Sequence, residues 1–145
     1  MKRFAIIASQ FNRPITSALV RGAVEVLRRA KVPSRSVQLW WVPGAFELPV
    51  VAARLARSRR KPDAIIAVGA ILRGETPQYR ALAHAVAEGL GRVAVDAGLP
   101  VTFGVIVADT PAQARARAGG AVGNRGAEAA MAALAVLNLF EQIPT

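Results

Sequence analysis

A chain of 145 residues with 53% hydrophobic residues is long enough for one domain with a full core and too short for two. It has no cysteine and one histidine, which excludes disulfides and thiolate metal sites and argues against any metal centre. A net charge as high as +10 is common among nucleic-acid-binding proteins. Here the basic residues are spread along helices or lie where a helix should end, which indicates a solvated basic surface instead; the second group is Arg57, Arg59, Arg60 and Lys61.

No apolar run approaches the ~18 residues that a membrane span requires. Met1 to Phe4 lead into a strand-like segment without the longer apolar region of a signal peptide. We therefore expect a soluble, cytoplasmic protein, and the lack of cysteine fits a reducing compartment.

The first half of the chain alternates short apolar strands with amphipathic helices. A strand is predicted from Phe4 to Ser9, and the helix after it has apolar residues at four-residue spacing: Ile15, Leu19, Ala23 and Leu27. A second strand is predicted from Val37 to Val42. After the turn Pro43 to Glu47, a helix is predicted from Leu48 to Arg60, where Lys61-Pro62-Asp63 stops it.

The middle of the chain contains the longest apolar run. Ala64 to Leu72 predicts a strand that is buried on both faces of a parallel sheet. Thr76 is predicted as the N-cap, and Pro77 as the first residue, of a helix that continues to Asp96. The free backbone N–H groups at this helix start form a seat for a phosphate or a carboxylate.

A fourth strand is predicted from Val101 to Val107, and the short helix that follows is capped by Asp109-Thr110-Pro111 and continues through Ala118. Gly119 to Asn124 is predicted as a flexible elbow before a last helix from Arg125 to Glu141. This alternation predicts a three-layer α/β/α sandwich around a four-stranded parallel sheet. Because ligands bind beyond the carboxyl ends of such strands, the loops after the strands form the candidate site.

These loops, taken together, resemble lumazine synthase, the family that makes 6,7-dimethyl-8-ribityllumazine in riboflavin biosynthesis. The resemblance covers nearly the whole chain and implies a flavodoxin-like sheet. Its marks are Phe11-Asn12, the run Val42 to Pro49 (VPGAFELP), the run Gly69 to Thr76 (GAILRGET), Phe103-Gly104-Val105, Arg117-Ala118-Gly119 and the run Gly123 to Ala130 (GNRGAEAA).

The resemblance implies a condensation of 5-amino-6-(D-ribitylamino)uracil with 3,4-dihydroxy-2-butanone 4-phosphate, without a metal or an organic cofactor. Phe11 would stack on the pyrimidine ring, and Phe103 of the neighbouring subunit would close the pocket. The ring and its ribityl chain would be bordered by Ala45, Phe46, Glu47 and the backbone of Ala70, Ile71 and Leu72. The phosphate would lie at Glu75 and Thr76 with Arg117 as its counter-charge, and Arg125 keeps a positive charge where the family often has lysine.

Each of these assignments has a structural alternative. Phe11 and Phe103 would otherwise be aromatic residues that cover or fill the core. Glu47 would otherwise cap the helix beginning near Leu48, which is compatible with a role in binding. Arg117 would otherwise be a solvated helix charge.

The sequence departs from the family pattern at Gln78, where the family has the histidine that transfers protons. A primary amide orients a reactant by hydrogen bonding, but it does not titrate near neutral pH. His84 is six positions later, on the Arg80-Glu88 stripe of the predicted helix, and we interpret it as a surface residue. Because positioning of two reactants contributes more than a general acid or base, we expect a slower enzyme with a flatter pH profile, in which water or the substrate phosphate carries the proton.

The resemblance also implies a homopentamer, alone or assembled into decamers or sixty-subunit shells. The chain begins almost directly at its first strand, so we expect it to lack the N-terminal segment that adds a strand to the neighbouring subunit in many relatives. Two other functions compete: a catalytically lapsed paralogue that serves as a shell or ligand-binding scaffold, favoured by Gln78, and a small nucleic-acid-binding protein, favoured by the charge.

Overall fold

The computed structural model describes residues 1–145, and its central element is a four-stranded sheet in the order β2-β1-β3-β4. All three neighbouring pairs are parallel. The predicted bounds of the first three strands are confirmed, and the fourth strand is one residue longer than predicted. The strands are β1 (Phe4–Ser9), β2 (Val37–Val42), β3 (Ala64–Leu72) and β4 (Val101–Ala108).

Helices cover both faces of this sheet, so the predicted α/β/α sandwich is confirmed. One core lies between the sheet and the pair α1 and α5, and a second core lies between the sheet and the pair α2 and α3. None of the helices is sufficiently long and apolar to cross a membrane. The helices are α1 (Arg13–Arg29), α2 (Leu48–Ala56), α3 (Gln78–Ala97), α4 (Pro111–Ala116) and α5 (Arg125–Gln142).

The β3 strand connects the two cores. Its side chains alternate between them, with Ile66 and Val68 in one core and Ile65 and Ala67 in the other. Every residue of β3 except Leu72 is buried, as expected for a central strand of a parallel sheet. The loops at its carboxyl end therefore rest on a fixed support.

The turn from β1 into α1 depends on Asn12, which has a φ of +63° in the left-handed region. Its backbone carbonyl accepts hydrogen bonds from the N–H groups of Ile15 and Thr16, at 3.0 and 3.1 Å, and so begins the helix. The side-chain amide makes no cap, and its nitrogen is buried without a partner. The Arg13 guanidinium stacks on the Trp41 ring at 3.9 Å and ties the helix start to the neighbouring strand.

The predicted end of the second helix and the predicted start of the third helix were wrong. The second helix ends at Ala56, because the N–H groups of Arg57 and Ser58 bond back to the carbonyls of Arg54 and Leu55 and tighten the last turn. The basic residues after Arg57 therefore lie in a turn beyond the helix. The third helix begins at Gln78, with Pro77 rather than Thr76 at the N-cap.

Thr76 makes no capping hydrogen bond, since the chain enters α3 through a tight turn in which the Arg80 N–H donates to the Pro77 carbonyl at 3.0 Å. The first backbone N–H groups of α3 are thus not capped by a side chain.

The segment predicted as a flexible elbow is a short antiparallel hairpin of β5 (Ala118–Gly120) and β6 (Gly123–Asn124). The chain turns at Gly119 and Gly123, which have φ values of +100° and +95° that other residues rarely adopt. The preceding helix, α4, correspondingly ends two residues earlier than predicted. The hairpin places Asn124 at the start of α5. Its side chain caps α5 by accepting a hydrogen bond from the Ala127 N–H, and it donates a hydrogen bond to the Ala18 carbonyl of α1.

Gly126 sits where α5 meets α1, and a Cβ at this position would meet the carbonyl group of Leu19. We expect Gly126→Ala to lower the free energy of unfolding by about 1–3 kcal/mol, because backbone cannot move aside as a flexible side chain does. Urea unfolding followed by circular dichroism measures the change. The matched control is Gly91→Ala in α3, where nothing lies within 4 Å and we expect a gain of roughly 0.5–1 kcal/mol. Equal shifts in the two variants would contradict the close helix contact.

A second prediction concerns Asn12. We expect Asn12→Ala to be less stable than Asn12→Gly by about 1 kcal/mol, because alanine pays the steric penalty of the left-handed conformation and glycine does not. Thermal unfolding of the two variants side by side provides the measurement. If alanine proves as stable as glycine, the turn does not require a left-handed residue.

Candidate active site

The loops after β1, β2 and β3 converge on one cavity of about 340 Å³ at the carboxyl end of the sheet. This is the edge at which parallel α/β sheets bind ligands. The cavity is lined by Phe11, Gly44, Ala45, Phe46, Glu47, Ala70, Ile71, Leu72, Gly74, Thr76, Gln78, Tyr79 and Leu82.

Two aromatic side chains stand at the rim of this cavity. Phe11 is 71% exposed and Phe46 is 63% exposed, so neither fills the core. The alternative that Phe11 covers the core is therefore wrong. Exposed phenylalanines at a cavity whose floor is the buried pair Ala70 and Ile71 offer a flat aromatic ligand a surface to stack on.

Glu47 occupies the N-cap position of α2, but its carboxylate makes no capping hydrogen bond. The structure thus confirms the N-cap position of Glu47 but not a side-chain cap. The carboxylate lies over Gly44, where an added Cβ would be 3.2 Å from Oε1. A hydrogen-bond acceptor is therefore available at the end of the cavity that holds Phe46.

Thr76 and Gln78, at the start of α3, also line the cavity. Both side chains are exposed. The first N–H groups of an α-helix have no partner within the helix and carry the positive end of its dipole. The start of α3 therefore suits an anionic group.

Four of the predicted residues do not line this cavity. Phe103 is 40% exposed on β4, an edge strand of the sheet, so the alternative that it fills the core is wrong. Glu75 is exposed next to Thr76. Arg117 and Arg125 lie together at the base of the hairpin, where the Arg125 N–H donates to the Arg117 carbonyl at 2.8 Å.

Arg117 belongs to a second cavity of about 450 Å³ beside β4, with Tyr79, Arg80, Val107, Ala108, Asp109 and Gln113. Thr110 positions the residues of α4 in this wall, because its hydroxyl oxygen caps the helix by accepting from the Gln113 N–H at 3.1 Å. Arg117 is only partly exposed, so the alternative of a fully solvated helix charge is not what the structure has.

Tyr79 is the residue that the sequence reasoning missed. It lines both cavities, and Arg80 Nε donates to its hydroxyl at 3.2 Å. This hydrogen bond, with the nearby charge of Asp109 adding to it, raises the pKa of Arg80 above its ordinary value. The signal in the sequence was the apolar spacing of Tyr79, Leu82 and Val86, which puts the tyrosine on the inner face of α3 directly after Gln78.

His84 is exposed on α3 and lines neither cavity, which agrees with its interpretation as a surface residue. No group of three or more His, Asp or Glu side chains lies close enough together to hold a metal ion. The ionisable side chains that border the first cavity are Glu47 and Tyr79.

The sequence of this chain is similar to those of one family of enzymes. A curated 6,7-dimethyl-8-ribityllumazine synthase of Gemmatimonas aurantiaca is 47% identical over 141 residues, which are 97% of this chain and 85% of that protein. Among solved structures, a de novo designed Rossmann fold protein matches with a TM-score of 0.40 and 18% identity over 78% of this chain and 90% of that one. Residues 1–141 match the family model described as 6,7-dimethyl-8-ribityllumazine synthase. The chain belongs to the 6,7-dimethyl-8-ribityllumazine synthase family.

Proposed function

We propose that this chain is a working 6,7-dimethyl-8-ribityllumazine synthase that joins 5-amino-6-(D-ribitylamino)uracil to 3,4-dihydroxy-2-butanone 4-phosphate. The observation that carries the proposal is the cavity in which two exposed aromatic rings, a free carboxylate and an open helix start meet in a member of this family. The reaction needs no metal and no organic cofactor: an amine condenses with a ketone to an imine, phosphate leaves, and the ring closes.

The pyrimidine is assigned to the end of the cavity with Phe11 and Phe46. Stacking of its ring on Phe11 would add about 0.5–1.5 kcal/mol beyond the burial of the two surfaces. Ala45, Glu47 and the backbone from Ala70 to Leu72 border the remaining space, where the polar ribityl chain requires hydrogen-bond partners.

The phosphate is assigned to the other end, at Glu75 and Thr76 beside the start of α3. Arg117 and Arg125 are its counter-charges, because a guanidinium holds two phosphate oxygens at once and stabilises the departing anion. In one copy of the chain these arginines lie outside the cavity, near the open edge of β4 that also carries Phe103 and Val107. We therefore assign Arg117, Arg125 and Phe103 to the cavity of a neighbouring copy.

This arrangement requires a closed ring of copies in which the β4 edge of one subunit faces the cavity of the next. A homopentamer is the assembly we propose, alone or within a decamer or a sixty-subunit shell, in the cytoplasm. The exposed apolar side chains on both edge strands support such contacts, with Leu39 and Trp40 on β2 and Phe103 and Val107 on β4.

Gln78 occupies the position of the family's histidine, and its amide does not titrate near neutral pH. Orientation of two bound reactants accounts for about 7–11 kcal/mol of a barrier, whereas a general acid or base contributes about 10²–10⁴ in rate. The chain therefore keeps the residues proposed to orient the two reactants, and orientation contributes more to the rate than a general acid or base does. A lapsed scaffold, the alternative that Gln78 favours, has no need of the exposed aromatic rings or of the two arginines.

We expect the purified chain to form the lumazine faster than the uncatalysed mixture does. We expect Gln78→His to raise kcat by roughly tenfold or more, because imidazole adds a group that titrates near neutral pH. The profile of kcat against pH should be flat for the natural chain and inflect near pH 6–7 for the variant. Lumazine fluorescence after mixing both substrates follows the reaction. Product formation no faster than without protein would establish the scaffold instead.

We expect Arg117→Ala to raise KM for the phosphorylated substrate and leave binding of the pyrimidine unchanged. Co-expression of Arg117→Ala subunits with Phe11→Ala subunits tests whether the site lies between copies. The mixed oligomers should recover activity at about a quarter of their sites, where an intact Phe11 faces a neighbour with an intact Arg117. If the mixture remains as inactive as either variant alone, Arg117 acts within its own subunit.

A further inference from the structure

Basic side chains from three separate segments of the chain meet at the amino end of the sheet, opposite the cavity that the carboxyl-terminal loops form. The strand register brings the segments together, since Phe4 of β1 lies beside both Val37 of β2 and Ala64 of β3. The residues that precede these three positions are therefore neighbours in space. Residues 2–3, 28–35 and 54–61 hold more than half of the 19 lysines and arginines of the chain, all of them exposed, and no aspartate or glutamate.

Direct contacts tie the three segments to one another. Arg3 Nη2 donates to the Lys61 carbonyl at 3.0 Å, and the Arg3 N–H donates to Asp63 Oδ2 at 2.7 Å. Lys2 and Lys31 line the same cavity of about 320 Å³, beside the end of α5. The three segments thus form one surface, which we call the basic end of the sheet.

Few carboxylates neutralise the basic end of the sheet. Glu25 pairs with Arg28 and Arg29 at 2.8 and 2.9 Å, and Glu141 is 4.0 Å from Lys2. No salt bridge reaches a side chain of residues 54–61. The cations of that segment are therefore without an ionic partner: Arg54, Arg57, Arg59, Arg60 and Lys61.

Stabilisation of a helix end does not account for this segment. Cations favour the C-terminal end of a helix only within its last turn. The α2 helix ends at Ala56, so Arg59, Arg60 and Lys61 lie beyond it. Because like charges repel one another, the fold loses stability by crowding them together. The arrangement therefore favours a partner of opposite charge.

The basic end of the sheet suits a flexible chain of repeated negative charges. Its cations lie on turns and at the ends of elements, not along one helix or ribbon that fits the groove of a duplex. A single strand of nucleic acid bends to bring successive phosphates to cations that are irregularly placed. A guanidinium binds two phosphate oxygens at once.

An anionic membrane fits this surface less well. Stable binding to a bilayer needs apolar groups that enter it as well as cations that face it. Residues 57–61 have the sequence Arg-Ser-Arg-Arg-Lys, which contains no apolar side chain.

We propose that the basic end of the sheet binds the phosphate backbone of single-stranded nucleic acid without sequence preference. This inference goes beyond the proposed synthase activity and does not depend on it. It replaces the expectation that the basic residues form only a solvated surface. The ring of copies proposed above uses the sheet edges and the cavity at the carboxyl end, which leaves the basic end of each copy uncovered.

The test measures binding of a fluorescein-labelled single-stranded RNA of mixed sequence by anisotropy over a series of salt concentrations. We expect a Kd of about 10⁻⁶–10⁻⁴ M at physiological salt for the natural chain. The slope of log Kd against log salt concentration should be at least about 3, because each phosphate that is neutralised contributes about 0.7 to it.

The decisive variant is Arg59→Gln/Arg60→Gln/Lys61→Gln. Loss of three phosphate contacts should raise Kd on the order of a hundredfold at about 0.1 M salt and lower the slope by about 2. Lumazine formation should not change, since these residues lie at the end of the sheet opposite the cavity. Urea unfolding should show a variant at least as stable as the natural chain, because like charges have been removed.

The matched control, Arg21→Gln/Arg73→Gln/Arg115→Gln, removes the same charge from exposed arginines outside the basic end. Its Kd should rise less than about threefold, because attraction between exposed charges is screened beyond about 10 Å at this salt concentration. Equal losses of affinity in the two triple variants would overturn the inference, since net charge alone would then attract the RNA.

Three results with the natural chain also overturn the inference: no binding of RNA at about 50 mM salt, a Kd that does not depend on salt, and tighter binding to phosphatidylserine vesicles than to RNA. A natural chain that binds RNA at the basic end but forms no lumazine overturns the proposed function alone.

Discussion

Burial of the third strand on both faces is the constraint on which the rest of the molecule depends. An aliphatic side chain removed from water contributes about 1.5–3 kcal/mol, and β3 directs such side chains into both cores at once. A strand of this kind must lie inside a parallel sheet with helices on each side. That arrangement sends every carboxyl-terminal loop to one edge, which is where the cavity forms.

The cavity is built from features that do not serve stability. Phe11 and Phe46 leave most of their surface in water, Asn12 adopts a left-handed conformation, and Glu47 stands at a helix start without capping it. Each is an unfavourable choice for an isolated fold and a suitable choice for binding a flat, polar molecule. The sheet supplies rigidity, and the loops hold the groups that contact a ligand.

The two arginines lie outside the cavity of their own chain, so the proposed chemistry depends on the assembly of several copies. Arg117 and Arg125 are joined by a backbone hydrogen bond beside the open edge of the sheet, while the aromatic rim belongs to the loops after β1 and β2. In our proposal neither half binds both substrates alone, because one copy orients the amine and its neighbour holds the phosphate, so confinement supplies most of the rate.

The sequence by itself determined the layers and most of the cavity. Unbroken apolar runs and four-residue spacing placed the strands and helices, because these patterns depend on which residues are buried by near neighbours in the chain. The motifs at the strand ends placed the cavity residues from Phe11 to Gln78. Only the tertiary structure decided the cap at Pro77, the end of α2, the hairpin after α4, the pairing of Arg117 with Arg125 and the position of Tyr79 between two cavities. These features depend on hydrogen bonds and contacts between segments that are distant in the chain or on backbone angles in single turns, and no local pattern of residue types specifies them.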